Sequence, residues 1–273
     1  MAEWSDFKTL QIEVDKAVAT VCLNRPDKAN AMNMPMWTEL EDCFRQIDQS
    51  PEIRAVVLAA RGKHFCAGLD LSVFEDLTTA GGSDPARRAE QLRLKVLRLQ
   101  ANLNAIEQCR KPVLAAIHSS CIGGGVDMVC CADMRFCTEQ AYFSIKEIDI
   151  GMTADVGTLQ RLPTLIPQGV VRELAYTGRR FNAREAQQLG FVNAVYADQQ
   201  ALLQAVQELA QDIAKKSPLA IRGTKEMLIY ARDHSVSDAL NYIATWNAGM
   251  LSSEDVTRSI TSQVDGSKPE YKD

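Results

Sequence analysis

Three groups of residues in this chain have types and spacing that could do chemistry. They are the loop Phe65-Cys66-Ala67-Gly68-Leu69-Asp70, the turn Gly123-Gly124-Gly125, and the acids Asp127, Glu147 and Asp155. A glycine run between a strand and a helix lets the backbone approach a ligand closely. It also leaves free N–H groups at the positive end of a helix, ready for an anion. The run has neither the G-x-G-x-x-G spacing of a dinucleotide fingerprint nor the Gly-Lys-Ser/Thr of a P-loop, so a tight packing turn explains it equally well. Asp127 lies among Val126, Met128, Val129 and Cys130, where an acid is expensive to bury unless it is paired or used. A capping or solvent-facing role is the competing reading. Glu147 and Asp149 alternate within Ile145–Ile150, which reads as strand-like with both acids on one side, where surface position is the ordinary explanation. Asp155, beside Val156 and Gly157, could cap the helix that follows.

Other polar groups read as structural. His118-Ser119-Ser120 lacks a G-x-S-x-G elbow, and adjacent residues at a strand end point apart. Arg25, Lys28 and Lys63 could meet phosphates or could simply be solvated surface. The eight cysteines form no Cys-x-x-Cys pair and have no metal-like spacing, so reduced, buried thiols are expected.

Leu10, Ile12 and Val14 alternate with polar neighbours, Asp15-Lys16 can turn the chain, and Ala17–Leu23 reads as the returning strand. Asn33 before Pro35 is a helix start, followed by the stripe Trp37, Leu40, Phe44 and Ile47. Ala55–Ala60 and Val113–Ile117 read as buried strands, with Arg135–Thr138 a third. Asp76–Pro85 should be a mobile loop. Leu92, Val96, Leu99, Leu103 and Ile106 repeat at helical spacing, and Val126–Ala132 is a further helix. From about Leu202 the pattern is purely helical, and the last ten residues should fray. Strands interleaved with helices, then helices alone, give an α/β core, residues 1–200, and a helical C-terminal region, 201–273.

The 273 residues are 46% hydrophobic, enough for a sizeable core, and carry a net charge of -5. That balance argues against nucleic acid as a partner. No apolar run approaches the roughly 20 residues that cross a bilayer. No signal or transit peptide is visible at the N-terminus, nor a Ser-Lys-Leu tail at the other end.

Taken together, several stretches resemble the crotonase (enoyl-CoA hydratase/isomerase) superfamily over nearly the whole chain. They are Leu23–Met32, Phe65–Asp70, Lys111–Ile117, Ile122–Asp127, and Thr177-Gly178 with Glu185-Ala186 and Gly190-Phe191-Val192. The resemblance implies a spiral of ββα units with a helical C-terminal region used in assembly of a homotrimer or homohexamer. It implies an acyl-CoA thioester substrate, with coenzyme A arriving as part of that substrate and no metal or redox cofactor. The backbone N–H groups of Leu69 and Gly124 become the oxyanion hole, within a substrate-binding loop that includes Ala67, Gly68, Asp70 and Leu71. Such pre-aimed donors stabilise the enolate that forms as a proton leaves C2.

The acids distinguish branches of the family. Typical hydratases carry Glu at the position of Asp127 and a glycine-rich turn where this chain has Ala154-Asp155-Val156-Gly157. Val126-Asp127, Lys146–Gly151 and Ala154–Pro163 instead resemble the Δ3,5-Δ2,4-dienoyl-CoA isomerases of fatty-acid β-oxidation. Those convert 3,5-dienoyl-CoA to 2,4-dienoyl-CoA by removing a proton at C2 and adding one at C6. The resemblance assigns that pair of transfers to Glu147 and Asp155, with Asp127 as a nearby electrostatic group, and implies a mitochondrial or peroxisomal setting. The alternatives are an enoyl-CoA hydratase and, in another class, an RNA-binding or scaffold protein using the basic helix from Arg87 to Arg98.

Overall fold

Ala55–Ala60 (β3) and Val113–Ile117 (β4) are apolar at every position, and both are buried along their whole length. They sit mid-sheet in a computed structural model that describes residues 5–73, 84–251 and 253–273. The sheet has six strands in the order β1-β2-β3-β4-β6-β9, with β1 Leu10–Asp15, β2 Val18–Leu23, β6 Met134–Thr138 and β9 Ala194–Tyr196. β1 and β2 form an antiparallel hairpin, and every later pairing in this sheet is parallel. Lys16 and Ala17 turn the hairpin at φ 48° and 66°. A second sheet joins β5 (Ser120–Ile122), β7 (Tyr142–Ser144) and β8 (Phe181–Asn182).

Period-two alternation splits the central strands between two cores. Val56, Leu58 and Ala60 face the larger core, with α1 (Met34–Gln49) and α2 (Pro85–Gln108). Ala55, Val57 and Ala59 face α7 (Gln199–Ala214), which covers them with Leu202, Val206, Ala210 and Ala214. Thus the first helix of the C-terminal region is a layer of the core. Between β5 and α7 lie α3 (Gly124–Cys130), α4 (Thr158–Leu165), α5 (Gln168–Thr177) and α6 (Ala183–Gln188). Then α8 (Pro218–Asp233), α9 (Val236–Met250) and α10 (Glu254–Asp265) complete the chain. Asn33 caps α1 by accepting from Met36 N, as its position before Pro35 suggests. None of the described helices is long and apolar enough to cross a membrane.

Two expectations change. Ile145–Ile150 is not strand-like: Glu147–Ile150 is a 3₁₀ turn closed by Gly151 at φ 74°. The last residues do not fray. Asp273 bridges Lys111 at 3.2 Å and Arg222 at 2.6 Å, and the Tyr271 carbonyl accepts from Arg54. Buried Lys111 needs an anion, and the polar tail supplies it. Of the loop expected over Asp76–Pro85, residues 76–83 lie outside the described part, and Pro85 opens α2.

The loops between elements are tied by buried polar groups. Asn30 is fully buried at φ 54°. Its amide donates to the carbonyls of Arg61 and His64, both at 2.8 Å, and accepts from Arg25 N at 2.8 Å. Asn30→Ala orphans all three groups. The expected loss is about 3 kcal/mol, roughly one per bond, measured as a shift in the urea midpoint; a loss below about 1 kcal/mol would contradict this assignment.

Candidate active site

Two backbone segments meet beneath the site. Phe65 N donates to His118 O, Cys66 N to Ser120 O, and Ile122 N to Cys66 O, at 3.1, 2.9 and 3.0 Å. Cys66 and Cys121 pair as a parallel bridge, which carries residues 67–69 alongside 122–124. Gly68 O accepts from Met32 N at 2.8 Å, and Asp70 N donates to Met32 O at 3.1 Å. The N–H of Leu69, between them, has no acceptor among the described residues. Gly124 is the first residue of α3, so its N–H falls outside the helical ladder. Two unspent donors therefore lie on adjacent strands of backbone, the requirement for an oxyanion hole.

The glycines have separate tasks. Gly68 has φ +97°, and a Cβ there would lie 3.0 Å from Ile122 O. A Cβ on Gly123, at φ +50°, would stand 3.1 Å from Glu147 Oε1. Gly124 has no side chain for a different reason from the one its sequence position suggests. A Cβ there would press on Met32 Sδ at 3.2 Å and the Trp37 ring, so the constraint is packing, and Gly123 is what leaves room beside the acid.

The rest of the loop divides. Asp70 accepts from Arg25 Nη1 at 2.9 Å and from Ser72 N and Oγ at 3.1 and 2.9 Å. Arg25 also donates to Ala31 O, so this pair braces the loop from within. Ala67 and Leu71 are exposed, as are Lys28 and Lys63. His118 is buried with Nε2 3.0 Å from Gly62 O, consistent with a structural role. All eight thiols are free and buried, and burial holds Cys66 and Cys130 up at about 12, far from a nucleophile's range.

The three acids converge on one cluster. Asp127, on α3, is fully buried. It caps a helix, but not its own: Oδ1 accepts from Thr158 N at 2.6 Å, the first residue of α4. Asp155 is thereby relieved of the capping role its position suggests, and its carboxyl is half-buried on the loop before α4. Asp127 Oδ2 and Glu147 Oε2 are buried and have no hydrogen-bond partner among the described residues. Burial, and then the neighbouring Glu147 charge, push the Asp127 carboxyl up to about 7. Burial raises Glu147 too, with the Asp155 charge adding to it, and burial raises Asp155. Each of the three carboxyls is thereby biased toward its protonated form. Nothing local in the sequence announces the Asp127–Thr158 bond, which spans 31 residues. Among the described residues, no group of His, Cys, Asp and Glu is placed to hold a metal.

This architecture, with unspent backbone N–H groups on two neighbouring segments and a cluster of buried acids, defines a class. The family model described as Enoyl-CoA hydratase/isomerase matches residues 13–273, and the chain belongs to that family. The fold is shared with the enoyl-CoA hydratase of Bacillus anthracis at a TM-score of 0.88 and 29% identity, covering 97% of this chain and 99% of that one. Among curated relatives, the peroxisomal Delta(3,5)-Delta(2,4)-dienoyl-CoA isomerase of Arabidopsis thaliana is 43% identical over 270 residues, 97% of each chain. The mitochondrial Delta(3,5)-Delta(2,4)-dienoyl-CoA isomerase of Mus musculus is 46% identical over 263 residues, 95% of this chain and 80% of its own.

The raised Asp127 carboxyl makes stability depend on pH. Unfolded, the group titrates near ~3.9; folded, it titrates at about 7. Between those values the folded state holds a proton that the unfolded state has released, so stability falls as pH rises. Asp127→Asn keeps the acceptor for Thr158 N and removes the charge. The variant should be more stable than wild type at pH 8, with the gap shrinking by on the order of 3 kcal/mol at pH 5. Thermal denaturation at the two pH values checks this, and a pH-independent difference contradicts it.

Proposed function

We propose that this chain isomerises 3,5-dienoyl-CoA to 2,4-dienoyl-CoA, with coenzyme A bound as part of the substrate and no metal or redox cofactor. The observation that carries the reading is the second proton-transfer acid. Asp155 shares a desolvated cluster with Glu147, at a position where the hydratase pattern carries glycine. The similarity to dienoyl-CoA isomerases over nearly the full chain supports it.

The thioester carbonyl oxygen accepts from Leu69 N–H and Gly124 N–H. As one ionised carboxylate takes a proton from C2, negative charge spreads through the diene and onto that oxygen, where the two donors stabilise it. The protonated carboxyl of the pair delivers its proton at C6, and the double bonds shift toward the thioester. Glu147 and Asp155 are the pair. Asp127 stands beside the pair, and the charges of Glu147 and Asp155 both raise its carboxyl, so it favours its neutral form there. A place in fatty-acid β-oxidation and a mitochondrial or peroxisomal setting follow from the same similarity.

A hydratase works at C2 and C3 and has no use for an acid further along the acyl chain. An RNA-binding reading relies on the basic face of α2, where Arg98 is engaged with Glu41 at 3.0 Å and Arg87 with Asp84 at 3.5 Å. Neither observation favours the alternatives.

Asp155→Asn should lower isomerisation of 3,5-dienoyl-CoA by at least ~100-fold, and Glu147→Gln by as much, with acyl-CoA binding retained because the oxyanion donors are backbone groups. Wild type should hydrate 2-enoyl-CoA poorly. Turnover of Asp155→Asn within a few-fold of wild type would remove Asp155 from the mechanism. Leu228, Val236, Leu240 and Leu251 are exposed on and beside α8 and α9, so we also expect a homotrimer or homohexamer; a monomeric mass by light scattering at micromolar concentration would contradict it.

A further inference from the structure

Gln100, Asn104 and Glu107 recur at spacings of four and three on α2, so they share one face of that helix. All three reach the segment that carries Asp155. Gln100 Nε2 donates to the Asp155 carbonyl at 2.6 Å. Arg161, in the first turns of α4, donates from Nη2 to Asn104 Oδ1 at 2.8 Å and to Glu107 Oε2 at 2.9 Å, and from Nε to Glu107 Oε1 at 3.0 Å. The Arg161 and Glu107 side chains are 13% and 16% exposed, so the pair is largely shielded and geometrically specific, a bidentate fork. Arg232 of α8 also donates to Glu107. Between the two anchors lies Gly157 at φ +134°, with the Arg161 guanidinium folded into the space a Cβ would need.

We propose that this polar stripe of α2 is a positioning device for Asp155. The device rests on the isomerase reading above, in which Asp155 transfers a proton. Asp155 stands on a loop, and loops are poor platforms for a proton-transfer group. Its carboxyl makes no hydrogen bond to another side chain among the described residues, so its direction is set by its backbone. Gln100 fixes the peptide that follows Asp155, while Asn104 and Glu107 hold the helix start through Arg161. The Thr158 N–H to Asp127 bond closes the loop from the opposite side. A misplacement of about 1 Å at a reacting group can cost on the order of 100-fold in rate, so loss of one anchor should be visible in turnover. None of these residues is proposed to touch the acyl chain.

The test is a double-mutant cycle on the full-length protein with 3,5-dienoyl-CoA. Gln100→Leu should lower kcat by about tenfold, with KM within twofold and a melting temperature close to wild type. Asp155→Asn should be severely impaired alone. Adding Gln100→Leu to it should lower its residual rate no further, because the group being aimed is gone. Glu107→Gln keeps shape while weakening the Arg161 fork and should show the same dependence on Asp155, which serves if Gln100→Leu folds poorly. Equal losses in the presence and absence of the Asp155 carboxyl, or a wild-type kcat in both variants, would overturn the positioning role while leaving Asp155 in the mechanism. Normal turnover by Asp155→Asn would instead overturn the isomerase reading itself.

Discussion

Three carboxyl groups share one desolvated space, and their mutual repulsion is the constraint that the surrounding structure has to satisfy. Burial raises all three, and each charge makes the next more costly. Left unsupported, such a cluster would draw in water or rearrange. The protein holds it by giving each acid a different backbone attachment. Asp127 is fixed to the start of α4 through Thr158 N. Glu147 starts a 3₁₀ turn closed by Gly151. Asp155 rides on a loop gripped at its carbonyl by Gln100.

The backbone donors are placed by different means. Residues 66–69 run beside 121–124, and the Leu69 N–H has no acceptor among the described residues. Gly68 and Gly123 take positive φ so that these chains can approach each other and Glu147. The parallel strands β3 and β4 deliver both segments from the same edge of the sheet, since the chain leaves each strand in the same direction. In the proposed mechanism, substrate charge develops among backbone dipoles and titratable acids, the kind of arrangement that electrostatic preorganisation uses.

Much of this was legible in the residues alone. β3 and β4 are continuous apolar runs bounded by polar residues, and α1 announces itself through Asn33 and Pro35. The family resemblance singles out Leu69, Gly124 and the three acids as candidates, and the acids do lie close together in the fold. Long-range polar bonds were not legible. The Asp127–Thr158 cap and the Gln100–Asp155 contact join residues 31 and 55 apart, with no local pattern to mark them. Helix α3 begins at Gly124, earlier than propensity suggests, at a position where Met32 and Trp37 leave little room for a side chain. Similarly, nothing local marks Asp273 as anchored, because its partners, Lys111 and Arg222, lie far off in sequence.

The central claim is that two separate acids, one ionised and one protonated, carry the two proton transfers. Isomerisation of 3,5-dienoyl-CoA in D₂O, stopped at early conversion, addresses it directly through NMR of the 2,4-dienoyl product. If one carboxyl takes the C2 proton and another delivers its own solvent-exchanged one, the product carries deuterium at C6 from the first turnovers. Protium appearing at C6, carried across from C2 by a single group, would contradict the account.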